Sequence, residues 1–148
     1  MADASSQQPP AQPSRGATVA DVMRKPLTTV ELNDHVAAAA YLMKHARATA
    51  LIVMDAQNDQ LIGIITEADI TRAVADGKNV NEVRIHELMT SRPQVIKLTT
   101  SVFDAARVMT NGRFRHLPVV GDDGLVGIVD VTDVCRALID PEVTDSRT

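Results

Sequence analysis

Apolar residues recur at the spacing of a helix face in two separate stretches of the chain. Val36, Ala40 and Met43 are separated by four and three positions, which predicts that they lie on one side of a helix. The same spacing returns later in the chain, in the trio Val102, Ala106 and Met109. The chain therefore carries the same helical pattern twice.

These trios belong to a longer internal repeat. At an offset of 66, Val36, Ala39, Ala40, Met43, Arg47, Leu51 and Val53 return as Val102, Ala105, Ala106, Met109, Arg113, Leu117 and Val119. At an offset of 64, Gly63, Ile64, Asp69, Arg72 and Ala73 return as Gly127, Ile128, Asp133, Arg136 and Ala137. Constant offsets over this length indicate a duplication, and the smaller second offset places a shorter turn in the second copy.

Each copy predicts the element order β-α-β-β-α. The expected first strands are Leu27–Val30 and Gln94–Leu98, and the later strands are Ala50–Met54, Leu61–Ile65, Leu117–Val120 and Leu125–Val129. The first helix should be capped by Asn33 or Asp34 in copy one and by Thr100 or Ser101 in copy two, where Asn111-Gly112 is a plausible stop. The second helices are expected at about 67–76 and 131–139.

This order predicts an α+β fold of sandwich-like architecture, in which the two repeats pack through their sheets with pseudo-two-fold symmetry. A unit of this size is marginal alone, so the copies should share one core. The expected division is a first domain at 18–77, a linker at 78–83 and a second domain at 84–140. The Ala/Gln/Pro/Ser-rich residues 1–17 read as a disordered tail, and 141–148 as a shorter flexible tail.

Composition and net charge argue against some classes of binding partner. The formal net charge of −4 argues against nucleic acid, and no apolar run is long enough to span a membrane. No secretory signal is recognisable at the N-terminus, which favours the cytoplasm. The single cysteine, Cys135, excludes an internal disulfide, and it is expected to be a buried small hydrophobe in the second helix of copy two.

One candidate site lies where a strand of copy one turns into a helix, in the run Gly63-Ile64-Ile65-Thr66-Glu67-Ala68-Asp69. Gly63 allows close approach to the strand, and the carboxylate of Asp69 can accept two hydrogen bonds, which suits the paired hydroxyls of a ribose. Thr66 and Asp69 also have the spacing of a capping box, in which they would only satisfy backbone N–H groups. Both roles can coexist on the same residues.

The only dense basic cluster is Arg113-Phe114-Arg115-His116, and arginine forks suit phosphate oxygens. The alternative is that Arg113 complements a helix C-terminus and Arg115 is a solvated loop charge. The histidines are scattered, so no metal site is expected, and no nucleophile-base arrangement or phosphate loop predicts an enzyme.

The duplicated unit resembles the CBS domain, named from cystathionine beta-synthase. The residues that carry the resemblance are Val22-Met23 with Pro26, Leu88-Met89 with Pro93, His116-Leu117-Pro118-Val119-Val120 and the run Gly63 to Asp69. The resemblance covers about 19–139 and implies a tandem pair that forms a homodimer. It also implies that AMP, ADP, ATP or S-adenosylmethionine binds in a cleft between the repeats, with no cofactor required.

The resemblance implies roles for particular positions. Asp69 would hold the ribose diol, with Thr66 beside ribose and phosphate. The adenine would be sandwiched by Thr28, Thr29, Ala48 and Ala50 in one site, and by Val95, Ile96 and Leu117 in the other. Arg113, Arg115 and His116 are the candidates for phosphate contact, acting across the cleft on a ligand that Asp69 holds.

Copy two departs from the pattern, because Asp130 stands where the threonine belongs, three positions before Asp133. A second carboxylate should repel a phosphate, so the second site is expected to be weak or empty. The resulting hypothesis is a stand-alone regulatory module that senses an adenine nucleotide and signals to an effector protein by conformational shift. The alternative is a structural or interaction module without ligand, and a redox or metal sensor built on Cys135 and the histidines is more remote.

Overall fold

The computed structural model describes residues 16–25 and 28–140, and within them each repeat forms the predicted order of helices and strands. The first strands differ from the expected Leu27–Val30 and Gln94–Leu98: they are Thr29–Glu31 and Ile96–Lys97, and Leu27 lies outside the described residues. The elements are α1 (Val19–Val22), β1 (Thr29–Glu31), α2 (Val36–Ala46), β2 (Ala50–Asp55), β3 (Gln60–Thr66), α3 (Glu67–Ala75), α4 (Ile85–Leu88), β4 (Thr90–Ser91), β5 (Ile96–Lys97), α5 (Val102–Gly112), β6 (His116–Gly121), β7 (Gly124–Asp130) and α6 (Val131–Ile139). The fold is α+β, as predicted. The tails assigned to 1–17 and 141–148 lie outside the described residues, apart from Gly16 and Ala17.

The chain divides into two compact units whose boundaries cross the sequence repeats. Unit I is Pro26–Gln94, and unit II joins Val95–Thr148 to the residues before Pro26. The short helix α1, which opens the first sequence repeat, thus belongs to unit II. The short helix α4, which opens the second repeat, belongs to unit I.

Each unit contains one sheet. In unit I the strand order is β1-β2-β3-β4, with β1 parallel to β2 and the other pairs antiparallel. In unit II the order is β5-β6-β7, with β5 parallel to β6 and β6 antiparallel to β7. An antiparallel bridge between Arg24 and Ile128 lies beside β7, where β4 lies beside β3 in unit I.

In each unit, apolar side chains from its helices and strands pack into one hydrophobic core. The unit I core consists of Val30, Val36, Ala39, Met43, Leu51, Val53, Ile65 and Ile85. The unit II core consists of Ala17, Val19, Val22, Ile96, Val102, Ala105, Met109, Leu117, Val119, Val129, Val134 and Ala137. The expected helix face is thus corrected slightly, because Ala39 is fully buried and Ala40 only half-buried.

Backbone hydrogen bonds explain why α4 belongs to unit I. The N–H groups of Ile85 and His86 donate to the carbonyls of Asp34 and Leu32, and Ile85 itself is fully buried. The same bonds recur at the equivalent positions of unit II, where Val19 and Ala20 donate to Thr100 and Leu98. Each short helix is therefore held by the loop that precedes the long helix of its unit.

The segment predicted as a linker also makes unit I contacts. The N–H groups of Val36 and Ala37 donate to the carbonyls of Val83 and Val80, which satisfies the start of α2. The predicted cap by Asn33 or Asp34 is wrong: the N-cap position is His35, and the Asp34 side chain instead accepts from the Glu31 N–H. In copy two, Ser101 caps α5 as predicted, accepting from the Asp104 N–H.

Both long helices end on an arginine in the left-handed backbone conformation. Arg47 has φ of 55° and Arg113 has φ of 59°, and each follows the last helical residue. The expected stop at Asn111-Gly112 agrees with the last helical residue of α5, which is Gly112. No helix in the described part of the chain is long and apolar enough to cross a membrane.

Candidate functional site

The corner between β3 and α3 places Thr66 and Asp69 in mutual contact. The Thr66 N–H donates to Oδ2 of Asp69 over 2.9 Å, and the Asp69 N–H donates to Oγ1 of Thr66 over 3.3 Å. The pair is thus a capping box, the alternative that the spacing left open. The Asp69 side chain is 10% exposed, so only its outer edge reaches solvent.

Arg72 holds the other oxygen of this carboxylate. Its Nη2 lies 2.6 Å from Oδ1 of Asp69, one turn further along α3. The Arg72 side chain is 69% exposed, so it can leave Asp69 without breaking any packing in the core. Because a carboxylate has about four lone-pair positions, each Asp69 oxygen keeps acceptor capacity beside its present partner.

The neighbouring strands bring some of the predicted adenine positions close to this corner. Ala50 is the strand partner of Thr66, and the Glu67 N–H donates to the Thr49 carbonyl just before it. Thr29 pairs with Ile52 in the next strand, with Thr28 immediately before it. Ala48 is half-buried and packs against the unit I core.

Gly63 has a packing reason to lack a side chain. A β-carbon at this position would lie 2.6 Å from Sδ of Met89 and 3.0 Å from the Thr90 carbonyl oxygen. The group that approaches the strand here is therefore the chain's own β4 segment. Gly127 faces Met23 and the Arg24 carbonyl in the same way.

The equivalent corner in unit II has a second carboxylate and two cations. The Asp133 N–H donates to Oδ1 of Asp130 over 2.8 Å, so Asp130 caps α6 as Thr66 caps α3. Arg24 donates from Nε to Oδ2 of Asp133 over 3.0 Å and from Nη2 to Oδ1 over 3.4 Å. Its Nη2 also lies 3.4 Å from Oδ2 of Asp130, and Arg136 lies 3.8 Å from Asp133.

The formal charges of the side chains in this corner sum to zero, which was not predicted from the sequence. Two carboxylates, Asp130 and Asp133, meet two guanidinium groups, so the repulsion expected from Asp130 is offset inside the unit. The hydrogen bond to Asp133 raises the pKa of Arg24 most, partial burial lowers it, and the charges of Asp133 and Asp130 raise it further. Arg24 is therefore fixed as a cation.

Sequence reasoning did not single out Arg24, although the repeat contained a signal. At the offset of 66, Arg24 stands where the other unit has Thr90, and both pair with equivalent strand residues, Ile128 and Ile64. The repeat is thus broken twice at one corner, by Asp130 and by Arg24. Two departures of opposite charge would have predicted an ion pair.

The basic cluster lies beside the unit II corner. His116 is the strand partner of Asp130, and the Val131 N–H donates to the Arg115 carbonyl. Arg113 precedes them at the end of α5. These residues occupy the positions that Arg47, Thr49 and Ala50 occupy in unit I.

The remaining positions predicted for the second site lie on or near the core of unit II. Ile96 is buried and pairs with Val119, with Val95 half-buried before it. Leu117 is fully buried in the core. Cys135 is exposed on α6, so its expected burial is wrong.

No group of three or more histidine, cysteine, aspartate or glutamate side chains in residues 16–25 and 28–140 could hold a metal ion. Thr66 and Asp69 in unit I and Asp130 and Asp133 in unit II form two equivalent corners. In unit I one exposed arginine, Arg72, contacts the carboxylate of Asp69. In unit II Arg24 contacts both carboxylate oxygens of Asp133.

The chain is similar to several curated proteins and to solved structures of CBS proteins. An uncharacterized 17.7 kDa protein of Acidianus ambivalens is 37% identical over 123 residues, covering 82% of this chain and 73% of that protein. Two further curated relatives are longer, and the chain spans 49% and 15% of their lengths.

Two solved structures hold adenosine compounds. The crystal structure of CBSX2 from Arabidopsis thaliana in complex with AMP has a TM-score of 0.68 and 32% identity, covering 86% of this chain and 99% of that one. The CBS domain pair of protein MJ0100, in complex with 5′-methylthioadenosine and S-adenosyl-L-methionine, has a TM-score of 0.76 and 29% identity, covering 84% and 98%. The family model of the CBS domain matches residues 19–76 and 85–140, and the chain therefore belongs to the CBS domain family, with two copies of the domain.

Proposed function

We propose that this chain is a regulatory CBS pair that binds an adenosine-containing ligand through the Thr66–Asp69 corner of unit I. The observation that supports this most directly is that two related structures, at 32% and 29% identity, hold AMP and S-adenosyl-L-methionine with 5′-methylthioadenosine. The chain has the residue types for such a ligand, namely a nearly buried carboxylate and a hydroxyl at a helix start.

Asp69 is the residue on which the ribose would depend. The capping bond from Thr66 fixes the carboxylate at the N-terminal turn of α3, so little ordering remains to be done on binding. Two vicinal hydroxyls can donate to the lone pairs that Thr66 and Arg72 leave free. Arg72, being largely exposed, can also swing towards a phosphate.

Signalling would be a shift of population. A ligand that prefers one arrangement of the protein favours it by the difference between its two affinities, and a homodimer would pass this shift to an effector protein. CBS pairs generally regulate other proteins and are not themselves enzymes, and this role needs no catalytic residue.

A second candidate function is an interaction module that works without ligand. Its support is the capping box itself, because both oxygens of Asp69 already have partners within unit I. On this hypothesis Thr66 and Asp69 only begin a helix, as Thr18 and Asp21 do for α1.

The two hypotheses separate in calorimetry and thermal unfolding with AMP, ADP, ATP, S-adenosylmethionine and 5′-methylthioadenosine. A ligand at a hundred times its Kd adds about 2.7 kcal/mol of stability, or roughly 5–10 °C in Tm for a chain of this size. Asp69→Asn keeps a capping oxygen but replaces one acceptor by a donor, so it should abolish the response. Asp21→Asn is the matched control, since it changes the same box at α1. If none of these compounds gives heat or moves Tm, the nucleotide proposal fails and the interaction module remains.

A further inference from the structure

We propose that Arg24 is a built-in occupant of the second ribose position, so that the chain binds one adenosine ligand and not two. This inference rests on the proposed function. Its basis is the contact of Arg24 with Asp133, the counterpart of Asp69 in unit II. Both oxygens of that carboxylate accept from the same guanidinium, through Nε and Nη2.

The contact of Arg24 resembles what a ligand diol would make. A diol presents two donors to one carboxylate, and the Nε and Nη2 donors of an arginine do the same with a positive charge in addition. The arginine is also held in place by the backbone bridge between Arg24 and Ile128, with N to O distances of 2.8 and 3.4 Å. An external ligand would have to displace a partner that is already positioned by the fold.

Asp130 makes the displacement of Arg24 by a ligand energetically unfavourable. It binds the same Nη2 of Arg24, so a ligand that removed the arginine would leave two adjacent carboxylates with Arg136 alone. In unit I the corresponding residues are Thr66 and Thr90, which carry no charge, and among residues 16–25 and 28–140 the cation on Asp69 is the exposed Arg72. The two corners therefore differ in how readily their carboxylate is released.

The Arg24–Asp133 contact is also better shielded than its counterpart. The Asp133 side chain is 3% exposed and the Asp69 side chain 10%, while Arg24 is 51% exposed and Arg72 69%. Solvent and salt thus compete less with the contact in unit II. The unit II corner should stay closed at ligand concentrations that fill unit I.

The test replaces two residues of the unit II corner by the residues at the equivalent positions of unit I. Arg24→Thr and Asp130→Thr copy Thr90 and Thr66, and AMP is the probe in calorimetry. We expect one AMP per chain in the wild type, none in Asp69→Asn, two in Arg24→Thr/Asp130→Thr, and one in the triple variant that combines all three changes. Arg24→Thr alone should gain no site, because Asp130 would then face the ligand.

The outcomes separate this inference from the proposed function. A wild type that binds two AMP, one of which is lost in Asp133→Asn, overturns the occupancy by Arg24, and so does a folded Arg24→Thr/Asp130→Thr variant with no gained site. If the wild type binds neither AMP nor any of the other four adenosine compounds, the proposed function fails, but an AMP site gained in the double variant still supports the role of Arg24 and its absence overturns it.

A measurement on the wild type covers the case in which the variants do not fold. The Nε–H resonance of Arg24 should stay unchanged in NMR when AMP saturates the chain, while the backbone resonance of Asp69 shifts. A shift of the Arg24 resonance that matches the shift of Asp69 would contradict the inference.

Discussion

The sulfur of Met89 lies beside the Cα of Gly63, in the space that a β-carbon would need. At residue 63 that carbon would be 2.6 Å from the sulfur and 3.0 Å from the Thr90 carbonyl oxygen. Met23 stands over Gly127 in unit II with nearly the same distances, 2.7 and 3.1 Å. The methionine that follows each short helix therefore requires a glycine on the neighbouring strand of its unit.

Gly63→Ala and Gly127→Ala should each destabilise the protein by about 1–3 kcal/mol, the usual cost of overpacking. The methionine side chain can move, but the backbone carbonyl next to it has less freedom. Urea unfolding monitored by circular dichroism measures the effect. Gly16→Ala is the control, because nothing lies within 4 Å of a β-carbon there. Equal stability of all three variants would show that the strand glycines are not packed as described.

Arg24→Ala should lower the free energy of unfolding by about 1–3 kcal/mol, the cost of leaving a buried acceptor without its partner. Asp133 is the group concerned, and Arg136 at 3.8 Å compensates only in part. Arg72→Ala is the comparison, since Arg72 is mostly exposed and its ion pair should contribute about 0–1 kcal/mol. A loss at Arg72 as large as that at Arg24 would refute the difference between the two corners.

Arg47→Gly and Arg113→Gly should stabilise the protein by about 1 kcal/mol each, because both arginines adopt the left-handed conformation that glycine enters without strain. Thermal unfolding measures the gain. A destabilised Arg47→Gly variant would show that the side chain outweighs the backbone strain.

The helices and strands could be predicted closely because they follow from local periodicity and from the repeat. From α5 onwards, every element of unit II begins at one of the two offsets from its counterpart, as Val102 and Gly127 indicated. Each short helix opens one sequence repeat but belongs to the unit formed by the other repeat. This assignment of α1 and α4 could not be predicted, because Met23 and Met89 have similar neighbours in sequence and either glycine would suit either methionine. Their choice of unit depends on long-range packing.

The sequence singled out Thr66, Asp69, Asp130 and Asp133, but it did not identify the groups that they contact. The spacing of Thr66 and Asp69 allowed both a cap and a ligand site, and the structure shows the cap. The cation opposite Asp130 comes from Arg24, which lies far earlier in the chain and in the other sequence repeat. No local pattern connects such residues, so only the simultaneous break of the repeat at both positions could have indicated the pair.

The pKa of Asp55 is lowered from its ordinary value by hydrogen bonds from the Asn58 side chain and the Gln57 N–H in the β2–β3 turn. A carboxyl whose pKa falls on folding stabilises the protein at pH above its unfolded pKa. That contribution is lost as the pH falls through the folded pKa. NMR titration should show the lowered pKa, and Asn58→Ala should bring it back towards the ordinary value. Asp122, in the shorter β6–β7 turn, provides a resonance that Asn58→Ala should leave unchanged.

A fragment covering 26–94 should fold, whereas a fragment covering 18–77 should not, although both contain the first β-α-β-β-α unit. The 26–94 fragment extends further towards the C-terminus and therefore includes Ile85, which is fully buried in unit I. It also includes the carbonyls of Val80 and Val83, which accept hydrogen bonds from the first N–H groups of α2. Losing a buried isoleucine costs about 2–5 kcal/mol, which is comparable with the whole stability of so small a unit. Two-dimensional NMR of each fragment gives the readout, and Ile85→Ala in the 26–94 fragment is the matched control, expected to lose its dispersed spectrum. A dispersed spectrum from the 18–77 fragment would show that the first repeat needs no helix from the second.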